Sequence, residues 1–145
     1  MASPCKYLTK QDVIIFRIDP LHVAAACNLC EKADYLIECG DRDVNVRDAG
    51  GKSPLHYAAR YNHLEMVDLL CTSGAHVNAK NNHGQTPLHY AFQAYAVDAV
   101  KVLRFRGAST KIRDNNGVVP AATPRLRMKN KRAIPLLAGL DELVK

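Results

Sequence analysis

The sequence predicts an all-α repeat solenoid, in which helix-turn-helix units are stacked and joined by β-hairpin-like loops. The motif Ser-Pro-Leu-His-Tyr-Ala at residues 53–58 returns as Thr-Pro-Leu-His-Tyr-Ala at 86–91, displaced by 33 residues. Aligning 44–75 on 77–108 without gaps gives twelve identities. Each unit would hold two helices of roughly eight to ten residues, which are too short to be stable alone in water. The units must therefore stack on one another.

Residues 1–16 are interpreted as an N-terminal capping segment. The run Val13–Phe16, followed by Ile18, is too apolar for an exposed tail, so we expect it to pack on the first repeat. The alternatives are an oligomer contact or a chain shortened at an upstream repeat. Neither a membrane helix nor a secretory leader is expected, because no apolar run approaches roughly 18 residues and residues 1–10 lack an apolar core before a cleavage site.

Repeat 1, at residues 17–46, departs from the regular pattern. Its Asp19-Pro20-Leu21-His22 motif places Pro20 34 residues before Pro54, and Asp19 stands where the second copy has a capping hydroxyl. The additional residue falls between Gly40 and Val44.

Repeats 2 and 3, at residues 50–79 and 83–112, are the regular units. A hydroxyl residue caps the first helix and a proline follows at its first position, where a missing N–H costs nothing. In repeat 2 the first helix is predicted to end in a break near Asn62–His63, and Gly74 to end the second helix in the left-handed conformation. Residues 77–84 would form an extended arm and a turn. Apolar spacing assigns these residues to the inward sides of the two helices: Leu55, Ala58 and Ala59, then Leu64, Val67, Leu69 and Leu70.

Repeat 4, at residues 116–145, is the most degenerate unit and is interpreted as a basic C-terminal cap. Val119 takes the cap position, the leucine and histidine of the motif are missing, and Pro135 falls within the expected second helix. Terminal repeats of a solenoid are normally atypical because one of their faces has no neighbour.

On these motifs the chain resembles the ankyrin repeat family over about residues 17–145. The Thr-Pro-Leu-His core, the small Ala-Ala pair, the Gly-Ala helix end and the Val-Asn loop start are all present in the central copies. The resemblance implies that loops and first helices form a concave surface that binds protein partners. It also implies that His22, His56 and His89 hydrogen-bond locally and to the neighbouring repeat.

The leading hypothesis is a non-catalytic adaptor or inhibitor that binds a protein partner through the concave face. Tyr57 and Tyr90 share one position on the first helix, and we expect most of each ring to project into the groove. Asp48 also belongs to the variable positions of this face. Tyrosine and arginine are favoured at interface hot spots, and the basic side chains suit a partner with acidic groups near apolar anchors. The predicted partner-binding residues are Arg47, Lys52, Tyr57, Arg60, Tyr61, Lys80, Asn82, Gln85, Tyr90, Gln93, Arg113 and Asn115.

The alternative is a nuclear regulatory or nucleic-acid-associated protein. Residues 1–100 carry nine Lys/Arg against eleven Asp/Glu, whereas 101–145 carry eleven against three. A basic patch in the last part has no interleaved aromatic residue, so any nucleic-acid affinity would be for phosphate. Either hypothesis places the protein in the cytoplasm, the nucleus or both. The patch consists of Arg125, Arg127, Lys129, Lys131 and Arg132.

The sequence gives no support for catalysis, and no cofactor or metal is predicted. It lacks a glycine-rich phosphate loop, a nucleophile elbow and a His-Glu-x-x-His motif. Cys27 and Cys30 have zinc-ligand or redox spacing, but no second Cys/His pair stands at zinc-finger distance and the pair spans a turn between helices. The odd count of five cysteines among helix-like segments predicts an intracellular protein with reduced thiols.

Overall fold

The computed structural model describes residues 10–39 and 42–122, and the regular structure in these residues is helical throughout. Seven α-helices are followed by a 3₁₀ turn at Pro120–Ala122. The helices in chain order are α1 (Lys10–Ile15), α2 (Pro20–Ala26), α3 (Cys30–Glu38), α4 (Pro54–Arg60), α5 (Leu64–Thr72), α6 (Pro87–Gln93) and α7 (Val97–Phe105).

The helices form two rows. The first helices of successive units, α2, α4 and α6, pack side by side, and the 3₁₀ turn continues this row against α6. The second helices, α3, α5 and α7, form the other row, and each packs on the first helix of its own unit. This arrangement is the predicted all-α repeat solenoid.

Each first helix begins with the same cap. Pro20, Pro54 and Pro87 occupy the first helical turn, and the histidine two residues later accepts a hydrogen bond from the backbone N–H of the N-cap residue. These N–H to Nδ1 distances are 2.9 Å at Asp19, 3.1 Å at Ser53 and 3.1 Å at Thr86. Asp19 preserves the cap because its carboxylate accepts from the N–H of Leu21 at 3.0 Å.

Residues in the left-handed conformation separate the helices. Asn28, Asn62 and Tyr95 lie between the first and second helix of their units with φ of 56°, 58° and 56°. Gly74 follows α5 with φ of 96°, as predicted, and glycine takes this conformation without a Cβ penalty.

The core lies between the two rows. Leu21, Leu55 and Leu88 are buried at equivalent positions of the three first helices. In α5 the buried residues are Met66, Val67 and Leu70. The prediction that Leu64 lies on the inward side is wrong, since its side chain is 45% exposed. At 3.6 residues per turn, Met66, Val67 and Leu70 share one face of α5, and Leu64 and the half-buried Leu69 flank it.

The N-terminal run does not pack as a cap in the way the sequence predicts. Ile14, Ile15 and Phe16 are exposed, whereas Ile18 is half-buried. The segment is joined to the stack by its backbone, because the carbonyl of Phe16 accepts a hydrogen bond from the N–H of Ala49 at 2.7 Å. The expectation that these side chains cover the first repeat is therefore wrong.

The predicted basic patch at residues 125–132 and Pro135 lie outside the described residues. Of the fourth repeat the structure describes the loop and the 3₁₀ turn. Among the described helices, none is long and apolar enough to cross a membrane.

Candidate functional site

The loops between units are closed by one repeated side chain. Asp48, Asn81 and Asp114 each accept hydrogen bonds through Oδ1 from the backbone N–H groups two and four residues later, all at 2.9 Å. Such Asx-type bonds define a tight turn. Asp48, which the sequence places among the variable positions of the binding face, is instead a buried residue that shapes the loop.

The two predicted tyrosine anchors have different environments. The Tyr57 hydroxyl donates to the Asp48 carboxylate, and the ring is half-buried. Tyr90 accepts a hydrogen bond from the side-chain amide of Asn81 at 2.7 Å and is 8% exposed. Burial raises the pKa of both phenols, and the contact with Asp48 raises that of Tyr57 further. The expectation that most of the Tyr90 ring projects into the groove is wrong.

The repeated histidines tie each unit to the next. The Nε2 atoms of His22, His56 and His89 donate to the carbonyls of Lys52, Gln85 and Val118 at 2.9, 2.9 and 2.8 Å. Burial lowers the pKa of all three, that of His56 to about 4, so the rings are neutral. No group of three His, Cys, Asp or Glu side chains in the described residues is placed to hold a metal ion.

Four predicted binding residues make hydrogen bonds within the loops. Asn82 and Asn115 each donate through Nδ2 to the preceding loop, to the carbonyls of Ala49 and Asn82 at 3.0 and 3.1 Å. Arg47 donates to the carbonyl of Lys80 at 2.8 Å, and Arg113 to that of Gly117 at 2.8 Å. All four residues remain exposed, so they form the surface of the loops while holding them in register.

An open groove of 590 Å³ lies beside α2 and α4. It brings together four predicted binding residues: Lys52, Tyr57, Arg60 and Tyr61. The apolar part of the groove is not predicted by the repeat pattern, although Phe16 and Ile18 of the hydrophobic run supply some of it. The other lining residues are Phe16, Ile18, His22, Val23, Ala26, Asp48, Gly50 and His83.

The groove carries two cations over aromatic rings. Lys52 Nζ lies 5.7 Å from the centroid of Tyr57, and Arg60 Cζ lies 5.8 Å from that of Tyr61. Neither cation forms an ion pair with any residue that the structure describes. Asp48, the one carboxylate among the described lining residues, is engaged by the Tyr57 hydroxyl and two backbone N–H groups. The site is thus a mainly apolar groove with available positive charge.

The remaining predicted binding residues lie toward the next unit. Tyr90 and Gln93 line a small cavity of 60 Å³ with Arg60 and Ala94. Gln85 is half-buried and accepts from Asn81 at 3.3 Å, whereas Lys80 is exposed. Arg60 therefore borders both concavities.

The cysteines do not form a metal or redox pair at the predicted turn. Cys27 ends α2 and Cys30 begins α3, as expected from the repeat register. Cys30, Cys39 and Cys71 are free thiols, and burial raises the pKa of Cys71 to about 11. Cys27 forms a disulfide, so the expectation that all the thiols are reduced is wrong at this position.

Comparison with known proteins supports the repeat register. A family model described as ankyrin repeats (3 copies) matches residues 5–81 and 21–114. Protein fem-1 homolog C of Xenopus laevis is 57% identical over 39% of this chain and 11% of its own length. Protein fem-1 homolog C of Homo sapiens is 61% identical over 28% of the chain and 6% of its own length. An ankyrin and IPT/TIG repeat-containing protein of Schizosaccharomyces pombe is 46% identical over 38% of this chain and 5% of its own length. The chain matches only a small part of each relative.

Proposed function

The chain belongs to the ankyrin repeat family, whose repeats mediate protein–protein interactions, and from this membership we propose that it is a non-catalytic adaptor or inhibitor. It would recognise a protein partner through the face formed by the loops and the first helices. The proposed compartment is the cytoplasm, the nucleus or both.

The groove beside α2 and α4 is the observation that carries this proposal. An apolar concavity can accept an anchor side chain of a protein partner, since hot-spot residues fill pockets near the centre of an interface. Here the polar groups include Lys52 and Arg60, whose charges have no ion-pair partner in the described residues. Tyr57 and Tyr61 add rigid amphipathic rings, a residue type enriched at interface hot spots.

His22 and Asp48 line the groove but serve the structure of the repeat, whereas other lining residues do not. His22 and His56 hydrogen-bond to the next unit, and Asp48 and Asn81 hydrogen-bond within the loops. Tyr61 and Arg60, in contrast, contact each other and face the groove at the end of α4. Their substitution should therefore change binding far more than stability.

Affinity capture with the intact chain tests the proposal. Three baits are compared: the intact chain, a groove variant with both Arg60→Glu and Tyr61→Ala, and the control variant Lys101→Glu. Lys101 is an exposed cation on α7 outside the groove. We expect proteins that the intact chain and the control retain to be lost by the groove variant, all three baits having circular dichroism spectra of the folded protein. Retention of the same proteins by the groove variant would contradict the proposed face.

Salt dependence separates this function from phosphate binding. Binding dominated by phosphate contacts weakens steeply and linearly with the logarithm of salt concentration. An interface anchored by aromatic side chains should weaken modestly over the same range. A steep slope for the captured partner would favour a nucleic-acid component.

A further inference from the structure

We propose that the groove beside α2 and α4 binds an extended peptide segment of the partner, in which a bulky apolar side chain stands between two acidic residues. This inference rests on the proposed function and names the chemistry of the partner at that site. It follows from the floor of the groove, from the two cations and from their spacing.

The floor of the groove suits one bulky apolar side chain. Val23 and Ala26 of α2 and Ile18 of the preceding segment meet Tyr57 of α4 there. Phe16 borders them with its side chain 51% exposed. Covering this surface would remove apolar area from water, and burial of one leucine or phenylalanine side chain contributes about 1.5–3 kcal/mol.

The cations define what should flank the apolar side chain. Lys52 lies two residues before α4 and Arg60 is the last residue of that helix, so the two residues flank it, with the Lys52 ammonium near the Tyr57 ring and the Arg60 guanidinium near the Tyr61 ring. Each is held near an aromatic face, and neither has a carboxylate partner in the described residues. Carboxylates brought to the edge of this open groove would form charge-assisted hydrogen bonds with both.

The length of α4 sets the spacing of the acidic residues. A helix of seven residues, Pro54–Arg60, is about 10 Å long. An extended chain advances about 3.3 Å per residue and places successive side chains on opposite faces, so two carboxylates four residues apart lie on one face about 13 Å apart, a span that long side chains flanking a helix of about 10 Å can meet. The apolar side chain then stands midway, two residues from each carboxylate, and faces the groove with them.

The chain's own first nine residues do not have this chemistry. They are Met-Ala-Ser-Pro-Cys-Lys-Tyr-Leu-Thr and contain no acidic side chain. Residues 123–145 contain two acidic residues, Asp141 and Glu142, which are adjacent and so cannot stand on either side of an apolar residue. The acidic occupant is therefore assigned to a partner protein.

Titration with synthetic peptides tests the inference on the full chain. The probe is a peptide of roughly ten residues with the core Asp-Ala-Phe-Ala-Asp in a Gly-Ser frame, long enough to span the groove. Two matched probes carry Lys-Ala-Phe-Ala-Lys and Asp-Ala-Ser-Ala-Asp. Calorimetry should give an affinity for the first probe at least about fivefold higher than for either matched probe, the factor that one exposed ion pair or a partly buried side chain contributes.

Two pairs of variants locate the binding. Arg60→Glu and Phe16→Ser should each lower the affinity for the acidic probe at least about fivefold. Their controls are Lys101→Glu and Phe105→Ser on α7, which exchange an exposed cation and an exposed ring outside the groove and should stay within about twofold. Backbone amide NMR shifts should move at Val23 and Tyr61 in the intact chain and not in the groove variants.

Equal affinity for the acidic and basic probes, or binding that both groove variants retain, would overturn the inference. If the captured partner is lost by the groove variant while the acidic probe shows no preference, the peptide chemistry is wrong and the proposed function stands. If the partner is retained by that variant, the proposed function fails as well.

Discussion

The side-chain amide of Asn81 donates a hydrogen bond to the hydroxyl oxygen of Tyr90 across 2.7 Å, at the position where the preceding repeat pairs Asp48 with Tyr57. The direction of the bond is reversed between the two repeats, since Tyr57 donates to a carboxylate and Tyr90 accepts from an amide. The same loop residue that closes the turn thus also holds the tyrosine of the following helix. This link explains why a tyrosine on the first helix is part of the scaffold.

Removing the Tyr90 hydroxyl should therefore reduce stability. In Tyr90→Phe the amide of Asn81 keeps only the longer contact to Gln85, at 3.3 Å. A buried donor that loses its partner costs about 1–3 kcal/mol, and we expect a loss of that size in urea unfolding. Tyr35→Phe is the control because Tyr35 is 64% exposed, and its effect should stay within about 0.5 kcal/mol. Equal effects at the two positions would argue against the Asn81 contact.

Truncating the buried leucines should be the most damaging change. Leu55→Ala or Leu88→Ala removes a fully buried side chain and should cost about 2–5 kcal/mol. Because stability in a repeat stack depends on the interfaces between units, hydrogen exchange should accelerate in the adjacent units as well. Leu64→Ala provides the comparison at an exposed leucine and should cost much less. A melting curve of Leu55→Ala that matches the unchanged protein would contradict the repeat register.

Stability should fall as the pH is lowered from about 6.5 to about 4. The pKa of His56 is lowered by burial from 6.5 to about 4, so between these values the unfolded chain binds more protons than the folded one. Above pH 6.5 the lowered pKa of His56 contributes about 3 kcal/mol to the free energy of unfolding, and this contribution is lost as the pH falls toward about 4. His22 and His89, whose pKa values are also lowered, act in the same direction.

His56→Gln tests the assignment by comparing unfolding free energies at about pH 7 and about pH 4.5. The variant should be less stable at neutral pH, and the drop in its stability on acidification should be smaller. An unchanged drop in His56→Gln would mean that this ring is not the group that titrates.

Two glycines with the same backbone conformation should respond differently to alanine. Gly74 has φ of 96°, and a Cβ added there would meet no other atom within 4 Å. Gly74→Ala should therefore lower the free energy of unfolding by about 1–2 kcal/mol, from the left-handed conformation alone. At Gly84, with φ of 74°, the new Cβ would lie 2.5 Å from Asn115 Oδ1 and 2.9 Å from its backbone nitrogen. Gly84→Ala should therefore cost more in urea unfolding. Equal losses would show that the neighbouring loop yields without penalty.

The sequence by itself determined the repeat, the helix starts and most of the core. The histidine-based cap, the proline at the first helical position and the glycine after α5 act within a few residues. The periodic leucines Leu55 and Leu88 are buried because a short amphipathic helix has one apolar stripe, whatever the rest of the chain does.

Tertiary structure decided which side chains remain available for a partner. Tyr57 and Tyr90 are the same residue in the same motif, yet the exposure of each depends on a loop side chain nine residues earlier and on the neighbouring unit. The groove likewise combines Phe16 and Val23 with Arg60, which only the stacking of α2 on α4 brings together. Local periodicity identifies an inward face, but the exposed surface depends on contacts between units that are distant in sequence.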